Sequence, residues 1–185
     1  MTAGSVSVPS KMRARWPIFA GLAVAVLVAD QLTKSWLVSF LAPGQRTEVV
    51  GSYVRLIHTQ NSGALFGLFR DQAILFAFVS IGVVGMIIWF HGNAGRNTLL
   101  SIALGLLLGG ALGNMADRFR YGYVVDFVDL GIGDLRWYTF NVADASISCA
   151  IVLLLLSAFM PEKGRSGVPG GGSGGVDQPE RRIDA

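Results

Sequence analysis

Ionisable side chains are scarce in this chain: only 15% of its 185 residues are Asp, Glu, Lys or Arg, while 52% are hydrophobic. Cysteine is nearly absent. The single Cys149 falls inside the last apolar run, which excludes an intrachain disulfide and a cysteine-based metal site and leaves it as a small packing residue. The two histidines, His58 and His91, belong to no cluster with ligand spacing, so no metal site is expected, and no cofactor either. Gly-x-Ser-x-Gly occurs only at Gly171 to Gly175, within a low-complexity glycine tract, which argues against serine chemistry. Nucleic acid is not an expected partner despite a net charge of +3, because the basic residues are scattered and several flank apolar runs, where they suit lipid headgroups. The connections are too short to hold a core of their own, which excludes a separate soluble domain.

What the chain has in abundance is apolar sequence. A membrane span needs about 20 apolar residues, and four stretches qualify: Trp16 to Ala42 with polar interruptions, Gln72 to Phe90, Thr98 to about Met115, and Phe140 to Met160. The expected fold is an all-α membrane protein, a four-helix transmembrane bundle over residues 16–160, with a small extracytoplasmic β-hairpin. Residues 1–15 form a polar amino-terminal segment whose Lys11, Arg13 and Arg15 abut the first span, which resembles a retained signal anchor and sets both termini in the cytoplasm. The whole-chain count of Lys and Arg, eight inside against seven outside, discriminates little by itself. Thr47 to Val50 and Tyr53 to Thr59 are rich in β-branched and aromatic residues around Gly51-Ser52, which predicts a hairpin on the outer membrane surface. Residues 161–185, with Gly-Gly-Gly-Ser-Gly-Gly, are expected to be a disordered cytoplasmic tail.

Against that background two carboxylates demand a reason. Asp126 lies in Gly-Tyr-Val-Val-Asp-Phe and Asp144 in Phe-Asn-Val-Ala-Asp, four residues into the last run. A charge at membrane depth costs about 3 kcal/mol on insertion scales, so such residues are usually functional. Asn114, Asp117 and Arg118 occupy i, i+3 and i+4 on the third span, and Asn141 and Asp144 repeat the i, i+3 spacing on the fourth. Two polar faces meeting inside the bundle, with Asp126 in the connection, predict a water-accessible pocket just below the outer surface. Two carboxyls sharing one proton supply both a base for water and an acid for a departing amine. Asp30 and Lys34, at i and i+4, predict an ion pair within the first span, and Asn61 and Gly63 mark a turn where the outer loop returns to the membrane. Asp71, Asp129 and Asp134 are expected to be structural, the last two in a polar loop. Gly131-Ile-Gly-Asp134 spells the presenilin-type motif outside any apolar run and is rejected. Gly105, Gly109, Gly110 and Gly113 predict close helix packing.

Taken in order, Asp30-Gln-Leu-Thr-Lys34, Asn61-Ser-Gly-Ala-Leu-Phe-Gly67, Gly109-Gly-Ala-Leu-Gly-Asn-Met-Ala-Asp-Arg118, Val124-Val-Asp-Phe127 and Phe140-Asn-Val-Ala-Asp144 resemble the bacterial lipoprotein signal peptidases, or signal peptidase II. The resemblance spans residues 30 to 144 and leaves out both ends of the chain. It implies a membrane aspartic endopeptidase that removes signal peptides from prolipoproteins, cutting before a diacylglyceryl-modified cysteine. It further implies Asp126 and Asp144 as the catalytic pair and Asn61, Asn114, Arg118 and Asn141 as residues lining the site. Gly63 is grouped here with the substrate-binding residues, and Asp30, Lys34, Gly110, Asp117 and Ala143 match motif positions with structural roles. Sensitivity to the cyclic peptide globomycin and location in the bacterial plasma membrane, with the site near the extracytoplasmic face, are expectations from the same source. Leu65, where many relatives carry Ala, departs from the pattern and would narrow the groove. Membrane lipids are expected neighbours, and a monomer is the default state.

Two other readings of the residues stay open. A proton-coupled transporter also uses membrane carboxylates, although no polar chain continues through Ile151 to Leu156. A non-enzymatic assembly subunit would use its polar residues only to join helices.

Overall fold

A computed structural model of the protein describes residues 15–62, 72–93 and 97–159. Four helices in it are long and apolar enough to cross a membrane. They are α1 (Trp16–Phe40), α2 (Ala73–Asn93), α3 (Thr98–Tyr121) and α4 (Val142–Phe159). On α1 the buried positions Phe19, Ala23, Asp30, Lys34 and Leu37 recur at intervals of three, four or seven residues, so one stripe faces the protein. The rest is apolar and outward, as at Val24, Val28, Leu32 and Trp36, which is the pattern of a helix immersed in lipid. On α2 the described side chains are mostly outward too, with Ala77, Ile87 and His91 buried.

The central helix is α3, which packs against α1, α2 and α4. Its glycines make that possible. A Cβ on Gly105 would lie 2.8 Å from the Phe19 carbonyl oxygen, one on Gly109 2.7 Å from that of Ala23, and one on Gly110 2.6 Å from that of Ala143. Only hydrogen fits at these three places, so α1 and α4 approach the α3 backbone closely, as the small-residue spacing predicts. Asn97 caps the start of α3 by accepting from the Leu100 amide at 3.1 Å, and Gly122, at φ 76°, ends it in the left-handed conformation.

At one end of the bundle lies an antiparallel sheet in the order β1 (Arg46–Val50), β2 (Val54–Asn61), β3 (Val124–Ile132) and β4 (Leu135–Arg136). The predicted hairpin is its first half, with the chain reversing through Gly51 at φ 48°. The second half was not anticipated: the segment after α3 is a strand and hairpin, not a loop. Leu37 and Leu41 of the α1 end cluster with Val125 and Phe127 of β3, which seats the sheet on the bundle. Arg136 ties the hairpin together, reaching Asp129 Oδ2 at 2.7 Å and the Ser52 carbonyl oxygen at 2.6 Å. Asp129 is thus structural, as expected, but on a strand; Asp134 sits in the β3–β4 turn. Gly63, Leu65, Asp71, the segment ahead of Arg15 and the glycine-rich tail lie outside the described residues.

Candidate active site

Three elements converge where the sheet meets the bundle. α3 runs past the predicted end near Met115 to Tyr121, which keeps Asn114, Asp117 and Arg118 on continuous helix. β3 carries Asp126, which is therefore on a strand and not in a loose connection. Thr59 pairs with Asp126 across β2 and β3, and Asn61 pairs with Val124, so the Asn61 side chain shares a face with Asp126 on the diagonal. Its Nδ2 donates to Asp126 Oδ2 at 3.0 Å, while the Thr59 hydroxyl donates to the Asp126 carbonyl oxygen at 2.8 Å.

α4 begins at Val142, not at Phe140, which puts Asp144 in its first turn. The Asp144 backbone is about 3 Å along the axis from the helix start instead of the deeper position predicted. Asn141 and Asp144 cap the helix reciprocally: the Asp144 amide donates to Asn141 Oδ1 at 2.9 Å and the Asn141 amide donates to Asp144 Oδ2 at 3.2 Å. That is the logic of a capping box, in which two orphan donors of the first turn are satisfied at once. The same asparagine reaches the other carboxylate, since its Nδ2 donates to Asp126 Oδ1 at 2.7 Å. One residue therefore touches both carboxylates, Asp126 through its side chain and Asp144 through its backbone amide.

Asn114 completes the polar chain. Its Nδ2 donates to Asp144 Oδ1 at 2.8 Å, and its Oδ1 accepts from Asn141 at 3.1 Å and from the Lys34 ammonium at 3.1 Å. Arg118 lies over the Phe76 ring at 5.8 Å, donates to the Asn114 carbonyl oxygen, and is within Coulombic reach of Asp144, Asp126 and Asp117. Asp126 is 2% exposed, whereas Asp144 is partly exposed. Burial first, and then the charge of Asp144, push the Asp126 carboxyl up to about 7, against the pull of Asn61, Asn141 and Lys34 in the other direction. The Tyr138 phenol is raised as well, by burial and then by the same two carboxylates, which puts it beside them.

Of the residues singled out in the sequence, Asn61, Asn114, Arg118, Asp126, Asn141 and Asp144 come together here. Asp30, Lys34, Asp117 and Ala143 form an adjoining cluster: Lys34 Nζ is 2.7 Å from Asp30 Oδ2 and 2.8 Å from Asp117 Oδ2. Gly110 is elsewhere, under Ala143 and Ser146, at the α3–α4 contact. Sequence reasoning missed Gln31, whose Nε2 donates to Asp117 Oδ1 at 2.9 Å and to the Gly113 carbonyl oxygen at 3.2 Å. An amide in the middle of an apolar span was the available signal. Thr59 and Tyr138 carried none. Among the described residues no group of three or more His, Cys, Asp or Glu could hold a metal ion.

Comparison with known proteins gives the same direction. The family model described as signal peptidase (SPase) II matches residues 22–160. The chain is 40% identical to the lipoprotein signal peptidase of Pseudoalteromonas atlantica over 146 residues, covering 76% of this chain and 88% of that one. It is 38% identical to that of Caulobacter vibrioides over 160 residues, covering 83% and 92%. A solved bacterial membrane enzyme superposes with a TM-score of 0.74 at 28% identity, covering 80% of this chain and 91% of that one. A match along nearly all of the four-helix region, in sequence and in backbone, makes this chain a member of the signal peptidase II family and hence a peptidase carried on four membrane helices.

Proposed function

We propose that the protein removes signal peptides from prolipoproteins, cutting before a diacylglyceryl-modified cysteine, with Asp126 and Asp144 as the catalytic pair. The observation that carries this reading is the meeting of two carboxylates from separate elements, β3 and α4, at the single residue Asn141, whose side chain donates to Asp126 and whose backbone amide donates to Asp144. Relatives bearing the name lipoprotein signal peptidase supply the substrate class. Two neighbouring acids of unequal environment divide the labour. Asp144, at the amino-terminal turn of α4, is in the place where a helix favours an anion, and it accepts N–H groups from Asn114 and Asn141. It acts as the base. Asp126, buried and raised to about 7, holds the shared proton near neutral pH and is the acid.

Asp144 takes a proton from water as the oxygen adds to the scissile carbonyl carbon. Asp126 gives its proton to the departing amine as the C–N bond breaks, which leaves a new carboxyl and a free amine on the lipid-modified cysteine. Asn61, bonded to Asp126, and Arg118, within Coulombic reach of it, hold the substrate main chain. Because the pair lies at the sheet end of the bundle, a lipid-anchored peptide reaches it from the bilayer while water enters from the surface. The enzyme accordingly works as a monomer in the bacterial plasma membrane, with its site near the extracytoplasmic face, both termini in the cytoplasm and globomycin as an inhibitor. The test is cleavage of a diacylglyceryl-modified prolipoprotein by purified protein in detergent. Asp126→Asn and Asp144→Asn should each abolish cleavage while the helices stay intact, and cleavage by either variant refutes the assignment.

A further inference from the structure

Each of the two proposed catalytic residues follows, by one position, a backbone amide that a buried carboxylate holds. The Ala143 amide, just ahead of Asp144, donates to Asp30 Oδ1 at 2.9 Å. The Val125 amide, just ahead of Asp126, donates to Asp117 Oδ2 at 3.1 Å. A single ammonium joins the two holders, since Lys34 Nζ lies 2.7 Å from Asp30 and 2.8 Å from Asp117. Its remaining donor goes to Asn114 Oδ1 at 3.1 Å, so all three N–H bonds of the ammonium are spent. With its oxygen committed to Lys34 and Asn141, the Asn114 amide must turn its NH₂ toward Asp144, where it lies 2.8 Å from Oδ1.

We infer that Lys34 is a positioning residue for the proposed reaction: one ammonium fixes both reacting carboxylates, through Asp30 and Asp117 to the backbone ahead of each, and through Asn114 to the Asp144 carboxylate itself. The inference rests on Asp126 and Asp144 being the reacting pair. A purely structural ion cluster is the alternative, and two observations weigh against it. Gly105 and Gly109 already bring α1 and α3 into close contact away from this end, and buried ion clusters are weak contributors to stability when hydrophobic packing could replace them. The cluster is also given its own space: a Cβ on Gly113 would stand 2.6 Å from Asp30 Oδ2. A displacement of about 1 Å at a reacting group is enough to lower a rate about 100-fold, so the lever is short and its effect large.

The experiment uses the full chain in detergent with Lys34→Met, which keeps the length and removes the charge. The readouts are thermal stability, binding of a diacylglyceryl lipopeptide with a reduced, uncleavable scissile bond, kcat, and the pH dependence of kcat. Folded K34M is expected to bind the lipopeptide within threefold of the parent and to lose kcat about 100-fold. The alkaline limb of its kcat profile should move to higher pH, because a cation is taken away from an acid that also faces Asn61 on β2, Asn141 ahead of α4, Asp144 on α4, Arg118 on α3 and Tyr138 beside the hairpin. A folded K34M with kcat within threefold of the parent overturns the inference, as does a loss matched by equal loss of binding with an unmoved alkaline limb. Should K34M not fold, Asp117→Asn against Asp117→Leu decides: Asn keeps an oxygen for the Val125 amide and should retain at least tenfold more kcat, and equal values overturn the inference. D126N and D144N run in parallel separate the two levels. If either cleaves, the reading of the site itself fails; if both are dead while K34M is fully active, only the role of Lys34 falls.

Discussion

Two pairs of aspartates sit side by side in this protein and are treated in opposite ways. Asp30 and Asp117 enclose a lysine, each within 2.8 Å of its ammonium, whereas Asp126 and Asp144 both bond to an asparagine, one to its side chain and the other to its backbone amide. A cation between two carboxylates offsets their charge in a buried place, and the result is a fixed strut. A neutral asparagine orients both carboxylates without cancelling charge, and burial followed by the charge of Asp144 raises the Asp126 carboxyl to about 7. On the proposed reading the same residue type serves as scaffold in one pair and as reagent in the other, and the group each pair bonds to decides which.

The comparison breaks most visibly at the second pair. Replacing either Asp126 or Asp144 by Asn should lower cleavage by about 10³-fold or more with the fold retained, as measured by single-turnover assays in detergent. Asn141→Ala removes the side chain that holds Asp126 and caps α4 at the Asp144 amide; kcat should fall about 100-fold, and loss of the α4 cap should lower stability by about 1 kcal/mol in thermal unfolding. Gly113→Ala attacks the first pair, pushing a methyl group against the Asp30 carboxylate. Overpacking of this kind costs about 1–3 kcal/mol, so its Tm should drop. At the small end, Glu48→Gln breaks a 3.8 Å ion pair with Arg55 in which the glutamate side chain is 60% exposed; it should leave activity and Tm unchanged, as exposed pairs contribute little.

Acidity sharpens the contrast. The Asp126 carboxyl is raised from 3.8 to about 7, so the folded protein binds a proton that an unfolded chain releases. Stability associated with this group is therefore complete below pH 3.8 and is lost as pH rises toward 7. Cleavage should likewise fall as pH rises through about 7, when the acid loses its proton. In D126N the first of these trends should flatten, read by thermal unfolding across the same range.

The helices were legible because lipid permits nothing else: long apolar runs announced all four. Asp126 was harder to locate, since Tyr123 to Val128 is short and apolar and reads equally as a connection; its strand character comes from pairing with β2, more than sixty residues away. The boundary error at α4 had a visible remedy, because Asn141-x-x-Asp144 is itself a cap signal. The Asp30–Lys34 pairing was local, one helical turn apart, and could be read directly. Its third member, Asp117, could not, for nothing in a single sequence ties position 34 to position 117.

The central claim is that the asparagine-bridged pair keeps one proton, on Asp126, near neutral pH. Infrared difference spectra between the parent and D126N, followed through a pH titration in detergent, measure that proton directly. A protonated-carboxyl band disappearing with a midpoint near 7 in the parent, and at lower pH in D144N, is the predicted result. A midpoint near the ordinary value of 3.8 would contradict it.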